Sequence, residues 1–153
     1  MAYDVILLTG IDNPPVKTFG AYKCAHELRQ AGFSTLVINF FQNFEFDELK
    51  NIISLAAGPN TLFVGVSNTF LNPGFAETRF IKNPTRLNRN NFLPNSNNEP
   101  EFVEHLKNIA PQAKIVLGGC RTTIDTDNPL IDYAIVGYAD ISVVNLAKHL
   151  RYK

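Results

Sequence analysis

Residues 4–39 read DVILLTGIDNPPVKTFGAYKCAHELRQAGFSTLVIN, and this stretch decides the fold. It opens on Asp4-Val-Ile-Leu-Leu-Thr9, a continuous apolar run of the kind expected for a strand buried on both faces. Pro14 and Pro15 then break the chain. From Val16 to Ala31 the period becomes helical. Ala21, Cys24, Ala25 and Leu28 fall at i, i+3, i+4 and i+7, while Lys23, Glu27 and Gln30 face away. Gly32 stops the helix, and Thr35-Leu-Val-Ile-Asn39 supplies a second strand. Strand, helix and strand in that order predict a parallel pair with a helix packed across it.

The alternation continues outward from this unit. Phe40, Phe41, Phe44 and Phe46 form an aromatic loop, and Asp47 can cap or charge a helix with Leu49, Ile52, Ile53 and Ala56 inward. Gly58-Pro59-Asn60 ends that helix, and Thr61-Leu-Phe-Val-Gly-Val66 is a third strand. Residues 68–98 lose all periodicity. They are rich in Asn and Pro, carry Arg79, Lys82, Arg86 and Arg89, and read as a long irregular loop, either functional or partly disordered. Asn98-Glu-Pro-Glu101 has capping-box character, and the helix behind it presents Val103, Leu106, Ile109 and Ala110. Lys114-Ile-Val-Leu117 is a fourth strand ending in Gly118-Gly119. After an irregular link from Cys120 to Asp132 with one short helical turn, Tyr133-Ala-Ile-Val136 is a fifth, ending in Gly137-Tyr138. Asp140 starts a last helix with Val143, Leu146, Ala147 and Leu150 inward. The expectation is one domain over residues 1–153. Its fold class is α/β: a flavodoxin-like (Rossmann-like), doubly wound, five-stranded parallel sheet in the order 2-1-3-4-5, with helices on both faces.

Composition narrows the function classes. At 153 residues and 45% hydrophobic, the chain can bury a core without staples. Fourteen basic residues balance fourteen acidic ones, which leaves no electrostatic footprint for nucleic acid or a membrane surface. No apolar run is long enough to span a membrane, and the N-terminus lacks the basic start of a signal peptide. Two cysteines, Cys24 and Cys120, cannot make a disulfide framework or a four-thiolate metal site, so a cytoplasmic protein is expected. Cys24 reads as a small core residue, and inert packing is favoured for Cys120. The three histidines, His26, His105 and His149, lie far apart in helical stretches. HExxH, CxxC and GxSxG are all absent, which argues against a self-contained metalloenzyme or serine hydrolase.

In an open parallel sheet, ligands sit at the carboxyl ends of the strands, near the point where strand order reverses. That edge collects Thr9-Gly10, Asn39-Phe40, Ser67-Asn68-Thr69, Gly118-Gly119 and Gly137-Tyr138. Ser67, Asn68 and Thr69 suit a polar ligand edge or a phosphate, and equally a strand end that satisfies local backbone. Gly118 and Gly119 either let a ligand approach the backbone or make a tight turn. Gly20, inside the first helix, is explained most simply by close helix–sheet packing. Three other uses of this architecture fail on residue type. A phosphoacceptor receiver needs an Asp after the third strand and a Lys after the fifth, where Ser67-Asn68 and Gly137-Tyr138 stand. A flavodoxin phosphate loop is interrupted by two prolines, each lacking a backbone donor. GxGxxG is absent, so a dinucleotide site has no support.

The sequence resembles the N-terminal cobalamin-binding domain of cobalamin-dependent radical SAM enzymes, from Asp4 to about Leu150. The carriers are Gly20-Ala-Tyr-Lys-Cys-Ala-His-Glu-Leu-Arg-Gln-Ala-Gly32, Val64-Gly-Val-Ser-Asn-Thr69, Ile115-Val-Leu-Gly-Gly119 and Ala134-Ile-Val-Gly-Tyr138. The resemblance implies a corrin ring on the carboxyl edge, with its nucleotide tail in a groove beside the last helix. It implies that Ser67 and Thr69 meet the tail or a corrin side chain, that Gly118 and Gly119 let the tail pass, and that Gly137 and Tyr138 line the groove. Thr9, Gly10, Lys17, Gly20 and Asn68 complete the implied cofactor site.

The departures from the family are informative. Many cobalamin domains carry Asp-x-His-x-x-Gly, whose His ligates cobalt. If Gly20 is that Gly, Lys17 stands at the His position and Pro15 at the Asp position. A protonated Lys has no lone pair to give, so bound cobalamin is expected base-off, with no metal ligand from the protein. The acidic residue often found just after the fifth-strand Gly is displaced to Asp140. The CxxxCxxC motif that holds an iron–sulfur cluster is missing, so the chain is expected to hold no such cluster. It is expected to be no enzyme by itself, its partner being a radical SAM catalytic domain or protein, and to be an excised domain or truncated protein. The same residues allow two alternatives. One is a relative that has lost corrin binding and serves as a structural or protein-docking module. The other is a small-molecule enzyme using Asp12 as its base.

Overall fold

A computed structural model describes residues 1–9, 19–67, 91–119 and 128–153. Five strands form one parallel sheet: β1 (Val5–Thr9), β2 (Thr35–Asn39), β3 (Phe63–Ser67), β4 (Lys114–Gly118) and β5 (Tyr133–Ala134). Their order is β2-β1-β3-β4-β5, the doubly wound order. Four helices accompany them among the described residues: α1 (Phe19–Gln30), α2 (Phe46–Ala56), α3 (Glu99–Ile109) and α4 (Asp140–Arg151).

The two-residue period of the strands sorts the core into two halves. Ile6, Leu8, Val64, Val66, Ile115 and Leu117 point to one face, where they meet Leu49, Ile53 and Ala56 of α2 and Phe102 and Leu106 of α3. Val5, Leu7, Phe63 and Val116 point to the other, against Ala25 and Leu28 of α1 and Val143 and Ala147 of α4. Each fully buried Leu, Ile or Phe contributes about 1.5–3 kcal/mol of transfer free energy, so both faces are needed. Leu7 lies opposite Gly65 in the register, and a β-carbon on Gly65 would stand 2.8 Å from Leu7 Cδ2. A side chain in the middle of β3 would therefore have to displace the Leu7 terminal methyl, so Leu7 fills the space that the glycine leaves.

Several local expectations need correction. The fifth strand pairs only over Tyr133–Ala134, because the chain turns away into Gly137 before Val136 can join the ladder. Helix α2 is opened by Glu45 at the N-cap, whose N–H bonds Glu48 Oε2 at 3.0 Å, while Asp47 sits in the first turn and bonds Lys50. No side-chain cap is made by Asn98, so the box expected over residues 98–101 does not form. Glu99 instead turns its carboxylate back into the core. The end of the expected loop is also structured: Phe92 and Leu93 are buried and residues 96–98 form a short 3-10 turn. Phe92 packs against Phe102 with ring centroids 6.2 Å apart. Val16–Thr18, Cys120 and the 68–90 stretch lie outside the described residues.

Candidate functional site

Parallel strands leave all their carboxyl ends on one edge, and four of the seven expected site residues that are described, Thr9, Ser67, Gly118 and Gly119, end strands or follow them directly there. Thr9 ends β1 fully buried and lies opposite Asn39 in the register. Ser67 ends β3 half-buried, directly opposite Gly118 at the end of β4. Gly119 follows with φ 113°, a conformation that L side chains rarely adopt. The two adjacent glycines therefore differ. Gly119 is required by the backbone turn. Gly118 is not: its φ is ordinary and a β-carbon there would meet nothing within 4 Å. The space beside Gly118 is open, next to the Ser67 end of β3.

Gly137 and Tyr138 lie between β5 and α4. Gly137 takes φ 86°, and the Tyr138 side chain is 98% exposed. Val136 at 51% and Ile141 at 72% extend this apolar surface. None of these touches Ser67 or Gly118 through a described contact. Gly20, near the start of α1, is exposed with nothing within 4 Å of a β-carbon, so helix–sheet packing is not the reason for it. Gly10, Lys17, Asn68, Thr69 and the Asp12 of the enzyme alternative lie outside the described residues.

The second turn of α1 meets the first turn of α4 through Lys23 and Asp140, 2.8 Å apart. The hydrogen bond from Lys23 holds the Asp140 carboxyl below its ordinary range, and Asp140 raises the Lys23 ammonium in return. Asp140 is thus engaged and charged, which suits a brace better than a general base. Burial pushes the Cys24 thiol up, and Asp140 pushes it further, so Cys24 is not an activated nucleophile.

Two features of the edge are invisible to sequence patterning. Asn39 Oδ1 is buried without a hydrogen-bond partner, and Phe40 after it adopts φ 55°, ψ 37°. A bulky aromatic residue is among the least expected to take the left-handed region, so no sequence signal marks it. Unsatisfied acceptors and backbone strain concentrate at binding sites, and both occur here at one strand end.

Two other places bring polar side chains together. Ser54 Oγ lies 2.8 Å from His105 Nε2, but both also face the Lys50 carbonyl, at 3.0 and 3.1 Å. A carbonyl only accepts, so His105 Nε2 carries the proton and donates, and Ser54 donates to the same carbonyl. This is a clip between α2 and α3, without a free base for the serine. A groove of about 690 Å³ at the amino edge is lined by Asp4, Thr61, Lys114 and Arg151 among others. There Asp4 is matched to Arg151 at 2.8 Å and Lys114 to Asp132 at 3.2 Å. Among the described residues no three His, Cys, Asp or Glu side chains converge as a metal site would need, and no helix is long and apolar enough to cross a membrane. Comparison with protein-family models, curated proteins and solved structures gave no match.

Proposed function

We propose that the chain is a corrinoid-binding module that seats cobalamin on the carboxyl edge of the sheet and serves a radical SAM catalytic domain or protein. The observation that carries the reading is the open space at Gly118, paired in register with Ser67 and followed by a backbone turn at Gly119. It supports the resemblance drawn from residues 64–69 and 115–119 because backbone without a β-carbon, with open space beside it, lets a bulky ligand approach the strand end closely. The residue types fit as well. Ser67 places a half-buried polar side chain beside that space, and Tyr138 offers a flat exposed aromatic surface. A bound cobalamin supplies a cobalt centre that carries an alkyl group for a partner's chemistry. The chain's own part is to bind, orient and shield it. Lys17 stands in place of a ligating His, so the cofactor is held base-off with no protein ligand to cobalt.

The test is a visible-absorption titration of the protein with hydroxocobalamin, checked by calorimetry. Saturable binding with a base-off spectrum is the expected result. A base-on spectrum with affinity keeps the module but overturns the base-off claim, and no saturable change overturns the corrinoid reading. One observation favours a second reading, a protein-docking relative without corrin: the exposed Val136, Tyr138 and Ile141 surface. Absence of corrinoid binding would select it.

A further inference from the structure

Glu99, the first residue of α3, is only 3% exposed. Its Oε1 accepts the Phe92 N–H at 2.6 Å and the Leu93 N–H at 3.0 Å, and its Oε2 accepts Asn128 Nδ2 at 2.8 Å. Asn128 Oδ1 in turn accepts the Leu130 N–H at 3.0 Å. Among the described residues no ion pair involves Glu99, so the carboxylate is held by three donors and the N-terminal end of a helix. Charge buried in this way is tolerated only where its hydrogen bonds are complete.

The position of this network in the topology gives it a use. The chain leaves the sheet at the carboxyl end of β3 and re-enters the described fold through residues 91–93. It leaves again after β4 and re-enters through residues 128–130. Glu99 binds both re-entry points at once. Phe92 and Leu93 are buried in the α2–α3 half of the core, and Leu130 packs against the same half. We propose that Glu99 and Asn128 are a positioning pair: by fixing the two re-entry points together they set the carboxyl edge for its ligand. The part of this inference that concerns affinity rests on the corrinoid reading above.

The donor–acceptor pattern makes the pair testable by exchange. In Glu99→Gln the new amide N–H2 faces the Asn128 N–H2, and Asn128 cannot flip without turning a donor against the Leu130 N–H. In Asn128→Asp two carboxylates face each other. The double variant, Glu99→Gln with Asn128→Asp, restores the match. The amide now at position 99 donates to the carboxylate now at position 128, whose second oxygen accepts from Leu130, and the net charge is unchanged. Hydroxocobalamin titrations of the four full-length proteins, well below their melting temperatures, are expected to show at least a tenfold loss of affinity in each single variant. Recovery to within about threefold is expected in the double, a departure from additivity that only directly coupled residues show. Single variants that bind like the wild type, or a double as defective as the worse single, overturn the pair. If a single variant does not fold, recovery of both folding and affinity in the double supports it. If the wild type itself does not bind, the corrinoid reading fails, and with it the affinity claim. Amide exchange at Phe92, Leu93 and Leu130 then decides the pair. Faster exchange on both sides of Glu99 in each single variant, reversed in the double, supports the coupling. Acceleration confined to one side overturns it.

Discussion

The two edges of the sheet use their polar groups differently. At the amino edge they close on one another. Ser34 N–H and Oγ bond Asp4 Oδ2 at 2.7 and 2.8 Å, and Arg151 reaches Asp4 Oδ1 while stacking on Phe33 at 4.0 Å. Thr61 accepts from the Gly58 N–H and donates to the Tyr3 carbonyl. At the carboxyl edge the described chain has an open Gly118, two positive-φ glycines, an exposed Tyr138, a strained Phe40 and a buried unpaired acceptor on Asn39. One edge has used its hydrogen bonds to hold the chain. Among the described residues the other leaves open space at Gly118 and an exposed Tyr138, and the proposed ligand site lies there rather than in the roomy groove at the opposite end.

Substitutions can break or sharpen that contrast. Thr61→Val carries the largest expected effect on stability. It leaves the buried Gly58 N–H without an acceptor and should cost about 1–3 kcal/mol in urea denaturation. Corrinoid affinity should stay within about twofold, because the site is distant. A stable Thr61→Val protein would show that the amino edge is not held as described. Arg151→Ala should cost less, about 1–2 kcal/mol, since it removes one part-exposed ion pair and one cation–π contact.

The same pair sets an acid limit. Burial alone would raise the Asp4 carboxyl, but the Ser34 hydrogen bonds and Arg151 outweigh it and hold it below its ordinary value of 3.8. A depressed folded-state value gives stability that is present above the unfolded value and lost as pH falls through the folded one. Melting temperature should therefore fall as pH drops below about 4. The fall should be shallower in Arg151→Ala, where there is less depression to lose. A pH profile identical in both proteins would separate Arg151 from the effect.

Gly118→Val should change stability least, by about 0.5 kcal/mol or less, because its β-carbon meets nothing. It should nevertheless weaken hydroxocobalamin binding at least about tenfold, or about 1.4 kcal/mol, by filling the open space beside the end of β3. Unchanged affinity would sink the site at the end of β4. A destabilised protein would show that the glycine serves the fold.

The sequence was legible wherever period and burial coincide. The apolar run of β1 is buried at every position, and of the four inward positions read for α2, Leu49, Ile53 and Ala56 are buried and Ile52 is half-buried. It was less legible where one residue type serves two purposes. Glycine at 20, 118 and 119 carries the same letter, yet only Gly119 is demanded by its φ, and Gly20 packs against nothing. Asn98-Glu-Pro-Glu101 has the letters of a capping box, but Glu99 found better-buried donors at Phe92, Leu93 and Asn128. A partner 29 residues away leaves no local trace.

By itself, then, the sequence determined the alternation of elements, the parallel sheet and its order, and with them the edge at which this architecture receives ligands. The alternation follows from periodicity, which is a local property, and the order is the one that the doubly wound architecture gives to five alternating strands. Only the tertiary structure decided that Gly118 is open while Gly119 is a turn, that Phe92 belongs to the core, that Phe40 is strained, and that Glu99 ties two distant stretches together. Each of those depends on atoms brought close by folding from far along the chain, and hydrogen bonding and packing act on that distance alone.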